Sequence, residues 1–182
     1  HMGYGHIYDL NKLSQKVLLN TQYISAMNPT AGSFIVNPRL QRLFATFAIN
    51  FPSLEALNTI YATFLLGHLS KFPEEVQEVG KRLVQAALQL HKSVARTFRK
   101  TASNFHYEFN VRHVAGVFQG MLMGQPAQFT EPLKIVQLWL HEGERVYGDR
   151  LVSVADLKKY KELALEQAKK FFKEISPPTL TV

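Results

Sequence analysis

The sequence predicts a mostly helical chain with a short β-prone beginning. Two features of the pattern say so. From Ser53 onward apolar residues recur every three or four positions between recognisable caps, whereas the stretch before Phe51 holds short β-prone runs stopped by prolines. A length of 182 residues, 46% of them hydrophobic, is enough to bury one real core, as a single domain or a domain plus part of another.

Along the chain, His1 and Met2 read as a tag remnant, because a natural chain begins with Met. TQYISAM, residues 21–27, reads as a buried strand that ends at Asn28-Pro29, since proline cannot continue a ladder. After the loop TAGSF, Asn37 caps a very short helix with Pro38 in its first turn, and FATFAIN, residues 44–50, reads as a second strand. Phe51-Pro52-Ser53 marks a subdomain boundary. Ser53 caps a helix whose face is Leu54, Leu57, Ile60, Tyr61, Phe64, Leu65 and Leu69.

Phe72-Pro73-Glu74 opens a longer helix with Val76, Val79, Leu83, Ala87, Leu90, Val94 and Phe98 inward and Arg96, Arg99 and Lys100 at the end the dipole prefers for cations. Asn110 caps the next, closed by Gly124 and Pro126, and Thr130 with Pro132 starts another, which carries Trp139. Ser153 with Asp156 forms a variant capping box for a last helix facing inward with Val154, Leu157, Tyr160, Ala164, Ala168 and Phe171. The tail SPPTLTV is expected to be loose.

Without cysteine there is no disulfide framework and no thiolate metal site, which suits a reducing, cytosolic setting. No apolar run approaches the ~20 residues of a membrane span, so no membrane partner is expected. The net charge of +7 is dispersed over helix faces, as on a solvated surface, and no nucleic-acid partner is expected.

Nucleotide and metal motifs are missing. The Gly80-Lys81 pair has Glu75 where a phosphate loop needs its first glycine and Arg82 where it needs Ser or Thr. Glu74-Glu75 follows Pro73 at a helix start and does not end a strand, so it is no magnesium-holding pair. His141-Glu142 lacks the second histidine of a zinc-protease helix, Arg145 standing in its place. The chain is therefore expected to have no active site of its own, no metal site and no cofactor.

Polar residues nonetheless stand at element ends: Asn28, Arg39 and Arg42 near the predicted strands, and Arg112 in the first turn of a helix. Each alone is explained by a turn, a surface ion pair or a solvated helix face. Their order along the chain is the unusual feature.

The segments YGHIYDLNKL (4–13), QYISAMNPTAGSFIVNPRLQRLFATFAINFP (22–52), FHYEFNVRHVAGVFQGML (105–122) and LWLHEGERVYGDRLV (138–152) resemble the third AAA+ module of axonemal dynein heavy chains, with NPTAGSF most similar to the outer-arm β type. The resemblance implies the end of an α/β AAA+ core (residues 3–52), a helical lid (53–175) and a loose tail (176–182), starting just after the magnesium-binding strand. It implies that Asn28 is the first sensor, which orients the attacking water. Arg42 would be the arginine finger toward the preceding, second module, with Arg39 a weaker candidate, and Arg112 the second sensor, on the lid.

ATP or ADP with magnesium would belong to the intact module. Partners would be the neighbouring AAA+ modules of the same chain, other dynein subunits, and microtubules through distant parts of the parent, in the axoneme of a cilium or flagellum. Two positions depart from the family: His113 stands where Asp is common after the lid arginine, which leaves the orientation of Arg112 open, and Leu43 where many members have His. The rival expectation is a free-standing helical interaction module with its own closed core. A slice of a larger core should instead leave Tyr23, Ile24, Phe47 and Ile49 without sheet neighbours.

Overall fold

A computed structural model describes residues 5–28 and 35–173. The chain divides into two compact units between Phe51 and Pro52. The predicted loop TAGSF, the tag remnant and the tail 176–182 lie outside the described residues.

The first unit opens with an antiparallel hairpin of β1 (His6–Tyr8) and β2 (Gln15–Val17), with Ile7 opposite Lys16. Asp9 organises its turn. One carboxylate oxygen accepts from the N–H groups of Asn11 (2.9 Å) and Lys12 (3.2 Å), and the other meets Lys16 Nζ at 2.7 Å. The Lys16 contact, aided by those N–H groups, holds the Asp9 carboxyl below the usual carboxylate range. Leu13 takes a positive φ of 51° to close the loop. α1 (Pro38–Gln41) follows, capped by Asn37, whose side chain accepts from the Arg39 N–H at 2.9 Å.

The strands predicted at 21–27 and 44–50 are not present; both stretches are irregular. A strand exists only where its backbone groups find a partner, and among the described residues the sheet has two strands, neither of them beside these segments. Their β-prone side chains are correspondingly bare. Tyr23, Ile24, Phe47 and Ile49 are 44%, 87%, 83% and 93% exposed.

The second unit is a helical bundle of α2 (Leu54–Leu69), α3 (Glu74–Thr97), α4 (Val111–Met121), α5 (Pro132–Tyr147) and α6 (Val154–Phe171), with a 3-10 turn at Gly148–Arg150. The mostly helical class read from the sequence is the one observed. α3 runs through the centre, touching α2, α4, α5 and α6, and its predicted inner row from Val76 to Phe98 is buried throughout. Gly80 sits in that row because a Cβ there would come within 2.7 Å of Leu69 Cδ1. The Gly80-Lys81 pair thus serves the close approach of α2 to α3.

Two predicted faces need correction. In α2 the buried residues are Leu57, Tyr61, Leu65 and Leu69, while Leu54, Ile60 and Phe64 face outward. The apolar residues of α2 span more than one face, so periodicity alone assigned too many to the core. In α6 Val154 is exposed and Phe172, just past the helix, is buried against Trp139, their rings 6.0 Å apart. Ser153 caps α6 by accepting from the Ala155 N–H at 3.2 Å, but Asp156 accepts from the Tyr107 hydroxyl at 3.0 Å.

Candidate functional site

α4 begins where Asn110 leaves the extended region: its side-chain oxygen accepts from the Arg112 N–H at 3.0 Å, and its carbonyl from the His113 N–H at 3.0 Å. Arg112 is the second residue of the helix and is exposed. Among the described residues its guanidinium makes no hydrogen bond or ion pair, so it is available to an outside anion. The dipole of the helix adds positive potential at this first turn. The donor set suits phosphate.

His113, the next residue, joins the cap. Its Nδ1 sits in the capping-box position, 3.0 Å from the Asn110 N and 3.3 Å from the Asn110 carbonyl, and its Nε2 lies 2.8 Å from Arg150 Nη1. The helix cap thus fixes the backbone at Arg112. Burial first, and then the Arg150 charge, push the His113 imidazole below its ordinary range.

Beneath this turn lies an aromatic cluster. Phe109 and Tyr147 flank the His113 ring at 5.6 and 6.4 Å, and Tyr147 carries the contact inward to His91 Nδ1 at 3.1 Å from its hydroxyl. Burial lowers His91 to about 4 and raises Tyr147 well above the phenol range. The stack fixes the base of α4.

Arg39 and Arg42 share one short helical turn of the first unit, both exposed and without a side-chain hydrogen bond or ion pair among the described residues. Asn28 is exposed in the irregular segment of the same unit and is engaged in a contact of its own. Arg112 belongs to the second unit.

Elsewhere the motif-like residues have structural uses. Glu74 and Glu75 complement the dipole in the first turn of α3. Glu142 is buried against Gly120 of α4 and accepts from Arg145 Nε at 2.8 Å. No group of three His, Cys, Asp or Glu side chains is close enough to hold a metal ion among the described residues. A shallow groove of about 400 Å³ is lined by Leu66, Gln77, Glu78 and Lys81. No helix of the described residues is long and apolar enough to cross a membrane.

The network missed from sequence is Arg150 with His106, His113, Tyr147 and His91. Its pairs stand 37, 44 and 56 residues apart, beyond any local spacing signal.

Comparison with known proteins covers both units. An AAA+ lid domain family matches residues 83–182, and a P-loop containing dynein motor region family matches residues 1–52. The dynein alpha chain of the flagellar outer arm of Chlamydomonas reinhardtii is 59% identical over 172 residues, 94% of this chain and 4% of that protein. The ciliary dynein beta chain of Tripneustes gratilla is 45% identical, and axonemal heavy chain 17 of Mus musculus 46% identical, each over 182 residues, 99% of this chain and 4% of the relative. The chain thus spans about 4% of the length of these relatives. With an AAA+ lid match over more than half its length and axonemal relatives along nearly all of it, this chain belongs to the axonemal dynein heavy chains of the AAA+ family.

Proposed function

We propose that the chain is part of the third AAA+ module of an axonemal dynein motor, with residues 3–52 closing the α/β core and 53–175 forming the lid. The parent heavy chain would couple ATP binding and hydrolysis to movement along microtubules in cilia or flagella. Within it this segment contributes contact residues and not a complete site. Arg112 neutralises phosphate of the module's own nucleotide, Arg42 faces the nucleotide of the preceding module with Arg39 as the weaker candidate, and Asn28 orients water. When bound, ATP with magnesium supplies the phosphoryl group and its counterion; the phosphate loop and the acids for magnesium come from elsewhere in the parent. Neighbouring AAA+ modules and other dynein subunits are the expected partners.

The single observation that carries this proposal is that axonemal dyneins match both units together, over 99% of the chain. The bare Tyr23, Ile24, Phe47 and Ile49 support it further, because β-prone residues that belong to a larger sheet stand exposed where that sheet's neighbours are missing.

The test separates the arginines in a motor region that contains the second, third and fourth modules. Losing a charge-assisted phosphate contact costs roughly 1.5 to 3 kcal/mol, about a tenfold to hundredfold change in affinity. Arg112→Ala should weaken nucleotide binding at the third site by that factor and spare the second, and Arg42→Ala should do the reverse. Titrations with the other phosphate loops disabled report each site alone. If both substitutions weakened only the third site, the role of Arg42 in trans would be wrong.

A further inference from the structure

The first turn of α4 is held by a guanidinium. Arg150 reaches His113 Nε2 with Nη1 at 2.8 Å and donates from Nη2 to the His106 carbonyl at 3.2 Å. His106 Nε2 returns the contact to the Arg150 carbonyl at 3.2 Å. One side chain thereby ties α4, the loop before it and the turn after α5.

His113 receives two requests it cannot meet together. A guanidinium only donates, so the contact with Arg150 needs a lone pair on Nε2, and the Asn110 N–H needs one on Nδ1. A neutral imidazole has a single lone pair and an imidazolium has none. The Arg150 contact is shorter and charge-assisted, so it holds the lone pair, with the ring proton on Nδ1 toward the Asn110 carbonyl at 3.3 Å. A carboxylate at this position carries no ring proton to place and titrates in a lower range, so it can accept from the Asn110 N–H without this conflict.

We propose that His113 is a positioning residue that clasps the first turn of α4 to Arg150 only while its imidazole is neutral, so that Arg112 is held more firmly at neutral than at mildly acidic pH. The proposal rests on the reading of Arg112 as a nucleotide contact. The groups facing His113 are Arg150 on the turn, Glu108 on the loop, Tyr147 on α5, and His91 on α3 at longer range. Arg150 opposes a proton on the ring, while the Asn110 carbonyl and then Glu108 favour one, and Glu108 also engages Lys100 at 3.3 Å. Burial and the guanidinium prevail, so the ring protonates below its ordinary range and the clasp is closed at neutral pH.

The test has two arms. Hydrogen exchange on the 182-residue chain reads the clasp directly. Protection factors at the Arg112 and His113 amides should fall about threefold to tenfold as the clasp opens on lowering the pH through the His113 titration. They should stay level in His113→Asp, and the His113 ring, followed by NMR, should titrate higher in Arg150→Gln than in the wild type. Protection that ignores pH in the wild type, or falls equally in His113→Asp, overturns the clasp.

The second arm titrates Mg-ADP into the intact motor region with the other phosphate loops disabled. Wild-type affinity should weaken about threefold to tenfold over the same pH change, in proportion to the ordered fraction, and His113→Asp should remove the difference. If exchange responds and affinity does not, the positioning role is wrong. If Arg112→Ala leaves Mg-ADP affinity unchanged while exchange still responds, it is the nucleotide reading of Arg112 that fails.

Discussion

His91 should make the helical bundle lose stability in acid, by an amount the structure sets. The ring lies part-buried with Nδ1 at 3.1 Å from the Tyr147 hydroxyl, and His113 is a further like charge if both protonate. Burial is the larger cause and lowers the pKa from 6.5 to about 4. A histidine whose folded pKa is depressed binds its proton more readily in the unfolded chain, so stability is intact above the unfolded value and is lost as pH falls toward the folded one. At about 1.4 kcal/mol per unit the full shift corresponds to roughly 3 kcal/mol, and the ring's partial exposure reduces this to about 2 kcal/mol. The window is pH 6.5 to about 4.

Guanidinium unfolding followed by fluorescence of the buried Trp139 measures it at the two ends of that window. Other groups titrate too, so the quantity that matters is the difference between wild type and His91→Gln, in which they are retained. The wild type should lose about 2 kcal/mol more than the variant. Equal losses in the two proteins would refute the argument from burial.

Three further outcomes follow from packing and capping. Gly120→Ala pushes a methyl group into the buried Glu142 carboxylate and should cost about 1 to 3 kcal/mol, read as a lower midpoint in denaturant. Tyr107→Phe removes the hydroxyl that donates to Asp156 at 3.0 Å and accepts from the Val152 N–H at 3.0 Å. It should cost about 1 to 3 kcal/mol and speed exchange of the Val152 amide selectively. Ser53→Ala deletes the α2 cap, which accepts from the Ala56 N–H at 3.1 Å, and should cost about 1 kcal/mol in the same unfolding assay.

The helices were legible because their signals are local. Ser53, Asn110 and Ser153 cap where the sequence places caps, and the α3 row recurs at helical spacing along its whole length. The strands at 21–27 and 44–50 were not, since pairing is a property of two segments and composition describes one. The hairpin escaped notice for the opposite reason. Its strands are three residues each, and its turn relies on Asp9 and a positive-φ Leu13 instead of an Asn-Gly pair.

At the site, the exposed first-turn position of Arg112 follows from the cap at Asn110, which the sequence displays. The partner of His113 does not, because Arg150 lies 37 residues away and meets it only through the path of α5. Replacing the family Asp by His looked like a loss of polar contact. Tertiary geometry instead sets the imidazole between the Asn110 N–H and Arg150, with one lone pair to share between them.

The carboxylate wedged between α4 and α5 has a mechanical consequence. Glu142 fits because position 120 has no side chain, and its neighbours on α4 at 119 and 121 are glutamine and methionine. Sliding α4 along α5 by part of a turn would move the notch off Glu142 and crowd the carboxylate, since the next glycine on that face, Gly116, stands a full turn away against Val146. The notch acts as a detent. A slip of α4 past α5 would thus have to unseat Glu142, which ties the register of the two helices to a single buried carboxylate.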